Sequence, residues 1–102
     1  MEPGVTDNPE RSRFEIHEEG GDIAGFLTYR LGDDEIAFLH TEIDTRFEGR
    51  GLGGRLVRAA LDAAREDGLT VLPHCPFVRG WMERHPAYES LVREEHRARF
   101  GW

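Results

Sequence analysis

From Arg13 the chain alternates apolar and polar positions. Phe14 and Ile16 stand against Glu15 and His17, the pattern of a strand with one buried face. Glu19-Gly20-Gly21-Asp22 reads as a turn, and Ile23 to Arg30 as a second strand. A second turn, Leu31-Gly32-Asp33-Asp34, leads into Glu35–Ile43, the most apolar of the three. Three strands joined by two tight loops predict an antiparallel meander. The period then changes. After Leu52 the apolar positions Leu56, Ala59, Ala60, Ala63 and Ala64 recur at helical spacing, with Arg55, Arg58, Asp62, Arg65 and Glu66 on the other face. Alanine gives this helix high propensity, and Gly68 supplies a left-handed cap. Leu69-Thr70-Val71-Leu72 follows as a buried strand, stopped by Pro73. Strand, glycine loop, helix and strand form a βαβ unit, so the last strand is expected to lie parallel to Glu35–Ile43. A second helix is expected from Phe77 to Arg84, with a helical turn after Pro86.

The fold class that follows is α/β (α+β), a mixed, mostly antiparallel sheet with one βαβ unit and flanking helices. Residues 1–12, with Pro3, Gly4, Asp7, Asn8 and Pro9, read as a flexible leader. Residues 13–92 read as a single domain, and the charged stretch 93–102 as a C-terminal tail. A chain of 102 residues has room for one core. Its 38% hydrophobic content, with six Phe, two Trp and two Tyr, argues against disorder.

Charge narrows the partners. Thirteen basic residues, all of them Arg, face twenty acidic ones, for a formal net charge of −7. That balance argues against duplex nucleic acid, which needs a basic surface, and favours a cationic partner. Cys75 is the only cysteine, so no internal disulfide can form and a cytoplasmic location is expected. No apolar run approaches the length of a membrane span, and the polar, acidic start lacks the apolar core of a signal peptide. His74, Cys75 and His85 carry no metal-ligand spacing, so no metal is expected.

The chemistry begins at Glu48-Gly49-Arg50-Gly51-Leu52-Gly53-Gly54-Arg55, between a strand and a helix. Glycines permit positive φ and a close approach of an anion to the backbone. Consecutive amides at a helix N-terminus point at that anion, with the positive end of the helix dipole behind them. Gly49-x-Gly51-x-x-Gly54 also satisfies the dinucleotide fingerprint. That fingerprint wants an acidic residue about 20 positions further on, and here the region reads Val71-Leu72-Pro73-His74. A Walker loop fails because no Gly-Lys-Ser/Thr follows.

Gly49-Arg50-Gly51-Leu52-Gly53-Gly54-Arg55-Leu56 resembles the acyl-CoA pyrophosphate loop of the Gcn5-related N-acetyltransferases. The fuller stretch, His40-Thr41-Glu42-Ile43 through the loop to Pro73-His74-Cys75-Pro76-Phe77, is similar to the small YjdJ-type branch of that superfamily. The resemblance covers residues 13–92. It implies a minimal version of that fold, acetyl-CoA as the acyl donor, and acetyl transfer to a primary amine of a small molecule or peptide. A non-catalytic CoA-binding or partner-binding module with the same fold is the alternative. The resemblance assigns CoA to Ile43, Asp44, Gly49, Arg50, Gly51, Leu52, Gly53, Gly54 and Arg55. Glu48 departs from the pattern, which has Gln or Arg there. It is expected to point outward, with Arg50 or Arg55 supplying positive charge. The pantetheine arm would lie between two splayed strands, bonded to the main chain of Glu42, Ile43 and Asp44, with the thioester ending near Cys75.

Amine acetylation needs a base for the ammonium proton, an acid for the departing thiolate and a donor for developing oxyanion charge. His40 and Glu42, two apart on one strand, share a face, and either could act as the base directly or through water. Equally, Glu42 could be a solvated strand end and His40 a hydrogen-bonded structural imidazole. Cys75 is the third catalytic candidate, as a positioned thiol or an acylated nucleophile, against the reading of a small apolar residue filling the sheet. Phe77 and Trp81 share a helical face and read first as core. Tyr88 is either the acid for the thiolate or a packing residue.

Overall fold

The computed structural model describes residues 4–102. Five strands, β1 (Val5–Asn8), β2 (Arg13–His17), β3 (Ile23–Leu31), β4 (Glu35–Ile43) and β5 (Thr70–Pro73), lie side by side in sequence order. Neighbours are antiparallel up to β4, and β5 runs parallel to β4 after the crossover through helix α1 (Leu52–Glu66). The meander and the βαβ unit are therefore as the periodicities predict.

Helix α1 turns Leu52, Leu56, Val57, Ala59, Ala60, Leu61 and Ala64 onto the sheet and packs across β2 to β5. Its end is a Schellman closure: Leu69 N–H donates to Ala64 O at 2.9 Å and Gly68 N–H to Arg65 O at 3.1 Å, with Gly68 at φ +70°. Helix α2 (Pro76–Arg84) starts on a proline at its first position and buries Val78, Trp81 and Met82. A 3-10 turn, Pro86–Leu91, follows it.

Strand register sorts the side chains into two faces. Phe14, Leu27 and Thr41 stand opposite one another across β2, β3 and β4, with Ile16, Gly25 and Ile43 beside them, on the inner face under α1. There the rings of Phe14, Tyr29 and Phe38 meet at centroid distances of 5.4 and 6.4 Å. Arg13, Thr28 and His40, with Glu15, Phe26 and Glu42, share the outer face. Glu15 is buried there between Arg13 Nε at 2.7 Å and Asn8 Nδ2 at 3.2 Å. Burial raises its carboxyl, but those donors outweigh it and hold it below the ordinary 4.5.

Both chain ends differ from expectation. Within the leader, Val5–Asn8 is an edge strand paired antiparallel with β2, and only residues 1–3 lie outside the described part. Val5 opposes Ile16 and is buried beside it, while Tyr29 Oη donates to Asp7 Oδ1 at 2.6 Å. At the other end, 93–102 folds into α3 (Glu94–Arg97) and a 3-10 turn, Ala98–Phe100. Arg93 pairs with Asp34 at 2.6 Å, Phe100 is buried with its ring edge-on to His74, and Trp102 packs against the core.

Candidate active site

The loop after β4 is shaped by two glycines. Gly49 and Gly51 take φ of +82° and +73°, a region that costs other residues energy, and a side chain at either would meet nothing within 4 Å. Gly51 is the N-cap of α1 and offers no capping side chain, and the first helical bond joins Arg55 N–H to Gly51 O at 3.3 Å. The amides of Leu52, Gly53 and Gly54 thus open the helix without an intrahelical partner, an arrangement that receives an anion. Gly53 and Gly54 act differently from what glycine spacing alone suggests. Neither has positive φ; a Cβ on Gly53 would lie 2.7 Å from the Phe77 ring, and one on Gly54 would lie 3.3 Å from Trp81 Nε1. Their bareness lets α2 close against the start of α1.

In front of these amides is an open groove of about 340 Å³, lined by Thr41, Ile43, Phe47, Glu48, Phe77 and the glycines. Phe77 is 44% exposed, so its ring is groove wall and not core. Glu48 is exposed at the rim. Arg50 and Arg46 each lay a guanidinium over Phe47, at 5.3 and 5.1 Å from the ring centroid. Arg50 and Arg55 line a second hollow of about 550 Å³ with His17, Glu18 and Glu19, on the flank of the loop.

The groove continues where β4 and β5 part. Their pairing runs from Glu35 opposite Thr70 to Phe38 opposite Pro73, and Cys75 N–H closes it on Phe38 O at 2.9 Å. Beyond that point the β5 side of β4 has no neighbouring strand. Asp44 N–H donates to Ala24 O at 2.8 Å on the β3 side, so alternation turns Glu42 the same way and leaves the main chain of Thr41 and Ile43 facing the gap. Asp44 is engaged within the protein: its carbonyl accepts Phe47 N–H at 2.8 Å and its carboxylate caps Arg46 N–H at 2.9 Å. Of the three main-chain positions expected to meet a pantetheine arm, only Ile43 is turned toward the gap, and Thr41, outside the expected set, faces it too.

A bulge at the same point decides which side chains face the groove. Phe38 opposes Tyr29 and His40 opposes Thr28, so Leu39 is an extra residue in β4. The slip turns Thr41 and Ile43 inward and His40 and Glu42 outward. Cys75, 3% exposed, meets Thr41, with Sγ 3.3 Å from Oγ1. His40 and Glu42 pair with each other, Nε2 to Oε1 at 3.3 Å, on the outer face, with side chains 59% and 61% exposed. The three catalytic candidates therefore divide into Cys75 inside and His40 with Glu42 outside. Tyr88 is elsewhere: its hydroxyl donates to Asp62 Oδ1 at 2.8 Å and its ring meets Trp81. Burial, then the Asp62 bond, raises its phenol above the ordinary 10.

The site fits a phosphate-bearing thioester. It joins a cradle of amides at a helix start, bare of side chains at Gly49 and Gly51, to an unpaired strand edge that ends at a buried thiol. No helix among the described residues is long and apolar enough to cross a membrane.

The chain is similar to known proteins in sequence and fold. The family model for the GCN5-related N-acetyl-transferase matches residues 13–91. Protein NATD1 of Xenopus tropicalis is 27% identical over 90 residues, 87% of this chain and 83% of that protein. Protein NATD1 of Homo sapiens is 27% identical over 84 residues, 81% and 74% of the two chains. The solution NMR structure of a GCN5-like protein from Staphylococcus aureus superposes with a TM-score of 0.66 at 26% identity, covering 87% of this chain and 86% of that one. The chain belongs to the GCN5-related N-acetyltransferase family.

Proposed function

We propose that this protein transfers an acetyl group from acetyl-CoA to a primary amine. The observation that carries the reading is the continuity of one surface. Free amides at the start of α1 open onto the groove, the groove follows the unpaired edge of β4, and that edge ends where Cys75 meets Thr41. The amides of Leu52, Gly53 and Gly54 would hold the diphosphate, the main chain of Thr41 and Ile43 would hold the pantetheine arm, and Phe77 would cover it. When bound, acetyl-CoA supplies an activated acyl thioester. The amine approaches from the outer face, where His40 and Glu42 take its proton directly or through water before attack. The buried Cys75 and the half-buried Thr41 are walls at the thioester end, and transfer is direct rather than through an acetyl-cysteine.

A non-catalytic CoA-binding module is the second reading. What favours it is the exposure of His40 and Glu42, which leaves both base candidates in solvent. Calorimetry with acetyl-CoA, CoA and NAD, followed by an assay for released CoA thiol over a panel of amines, separates the two. Acetyl-CoA binding with amine-dependent thiol release is expected. Binding without turnover on any amine would favour the module, and failure of CoA to bind at millimolar concentration would overturn both.

A further inference from the structure

Phe26 stands at the centre of the outer face of the sheet. It is opposite Glu15 on β2 and Glu42 on β4, with Arg13 and His40 in the neighbouring row. Arg13 lays its guanidinium over the ring at 4.6 Å, and the His40 imidazole meets it at 6.2 Å between centroids. A hollow of about 570 Å³ opens at this ring, lined also by Ile23, Glu42 and Asp44. That size suits a small organic molecule. Phe26 is half-buried and Ile23 is 41% exposed, so the apolar wall they form is open to a ligand.

The charges around the hollow are unequally matched. Arg13 donates Nε–H to Glu15 at 2.7 Å, and Asp44 holds Arg46 at 3.0 Å. Glu42 pairs, among the described residues, with His40 alone, at 3.3 Å, and meets no guanidinium. A carboxylate whose one neighbour is an imidazole keeps acceptor positions free for an ammonium. The hollow also adjoins the groove at the start of α1. Ile43 lines both, so β4 is the wall between them. One strand spacing, about 4.8 Å, separates β3, which carries Phe26, from β4, whose far edge faces the gap.

We infer that this hollow seats the acceptor, and that the acceptor is a primary amine on an aromatic or branched apolar body. The body rests on Phe26 and Ile23, and the ammonium meets Glu42. That the ligand is an acceptor rests on the acetyltransferase reading; binding of such an amine in the hollow does not. A short diamine would set a second charge against the apolar wall, and an amino acid would bring its carboxylate toward Glu42 and Asp44.

Amide NMR titration with phenethylamine, without acetyl-CoA, tests the site itself. Saturable shifts are expected at Gly25, Phe26 and Glu42, which line the hollow. Glu42→Gln is expected to weaken that binding about threefold, the value of one exposed charge pair, and to leave binding of uncharged 2-phenylethanol unchanged. No saturable shift at these residues, or equal phenethylamine affinity in wild type and Glu42→Gln, would overturn the inference. Kinetics then compare phenethylamine, propylamine, 1,3-diaminopropane and β-alanine. Phenethylamine is expected to show a KM about tenfold below that of propylamine, the discrimination that an apolar wall gives for added carbons. Ile23→Ser, at the exposed rim, and Phe26→Leu, which keeps an apolar side chain on the sheet, are each expected to narrow that ratio. A lower KM for the diamine or β-alanine, or a ratio unchanged in both variants, would contradict it. Calorimetry with acetyl-CoA on the same protein keeps the two readings apart. Acetyl-CoA binding without amine binding at the hollow defeats this inference alone, and amine binding without acetyl-CoA binding defeats the acetyltransferase reading alone.

Discussion

The ring of Phe77 occupies the space beside Gly53 so closely that a Cβ there would lie 2.7 Å from Cζ. Helix α2 therefore closes against the first turn of α1 because Gly53 and Gly54 carry no side chains there. Gly53→Ala would push an exposed, movable ring, while alanine gains about 1 kcal/mol of helix propensity over glycine. The expected result is a melting temperature within a few degrees of wild type and acetyl-CoA affinity weakened about tenfold as the ring turns into the groove. Gly51→Ala should behave in the opposite sense. At φ +73° it costs about 1–2 kcal/mol of stability, and its Cβ meets no protein atom within 4 Å. Thermal melts and calorimetry on the two variants check this, and equal behaviour would contradict the separate roles.

Cys75 is buried against Thr41, which lines the groove. Direct transfer predicts that wild-type protein incubated with acetyl-CoA and no amine shows no added acetyl mass. Cys75→Ala should retain amine acetylation while losing about 1–2 kcal/mol to the small cavity left behind. An acetyl adduct on Cys75 in intact-mass spectra, or complete loss of transfer in a folded Cys75→Ala protein, would make the thiol a nucleophile.

Tyr29 ties the edge strand to the sheet through Asp7. Tyr29→Phe should lower stability by about 1 kcal/mol, the net worth of a hydrogen bond. It should speed amide exchange in Val5–Asn8 more than in β3 or β4. Uniform loss of protection across the sheet would mean that β1 is not an independent edge.

Glu15 gives a pH dependence with a definite sign. Its folded carboxyl lies below the ordinary 4.5, so its contribution is complete above that value and is lost as pH falls through the depressed one. Glu15→Gln should therefore be less stable than wild type at pH 7, by about 1–2 kcal/mol. The gap should close on acidification below 4.5. A gap that stays constant down to pH 3 would show that the Arg13 and Asn8 contacts do not depend on the charge.

Most of the frame was legible because its periodicities are long. Phe14 with Ile16, the alanines of α1 and the Gly68 stop each point to one kind of element. Strand β1 was not, because Val5 is its only large apolar residue, and its pairing depends on Ile16 and Tyr29 from distant parts of the chain. The C-terminal stretch hid its anchors, Phe100 and Trp102, among charges. In the site, the glycines announced the loop, but nothing in the sequence announces the bulge at Leu39. One extra residue inverts the strand beyond it, so His40 and Glu42, which continue the inward count from Phe38, end on the outer face. Thr41 escaped notice for the same reason. Gly53 and Gly54 looked like loop formers because their partners, Phe77 and Trp81, are remote in sequence.

The most direct measurement is a backbone amide NMR titration of the intact chain with acetyl-CoA. The amides of Gly51, Leu52, Gly53 and Gly54, together with those of Thr41 and Ile43, should move in one saturable step. Those of β1 and β2 should stay in place. Saturable shifts that leave the Gly51–Gly54 amides unmoved, or no shifts at millimolar acetyl-CoA, would contradict the proposal that the start of α1 is the cradle of the acyl donor.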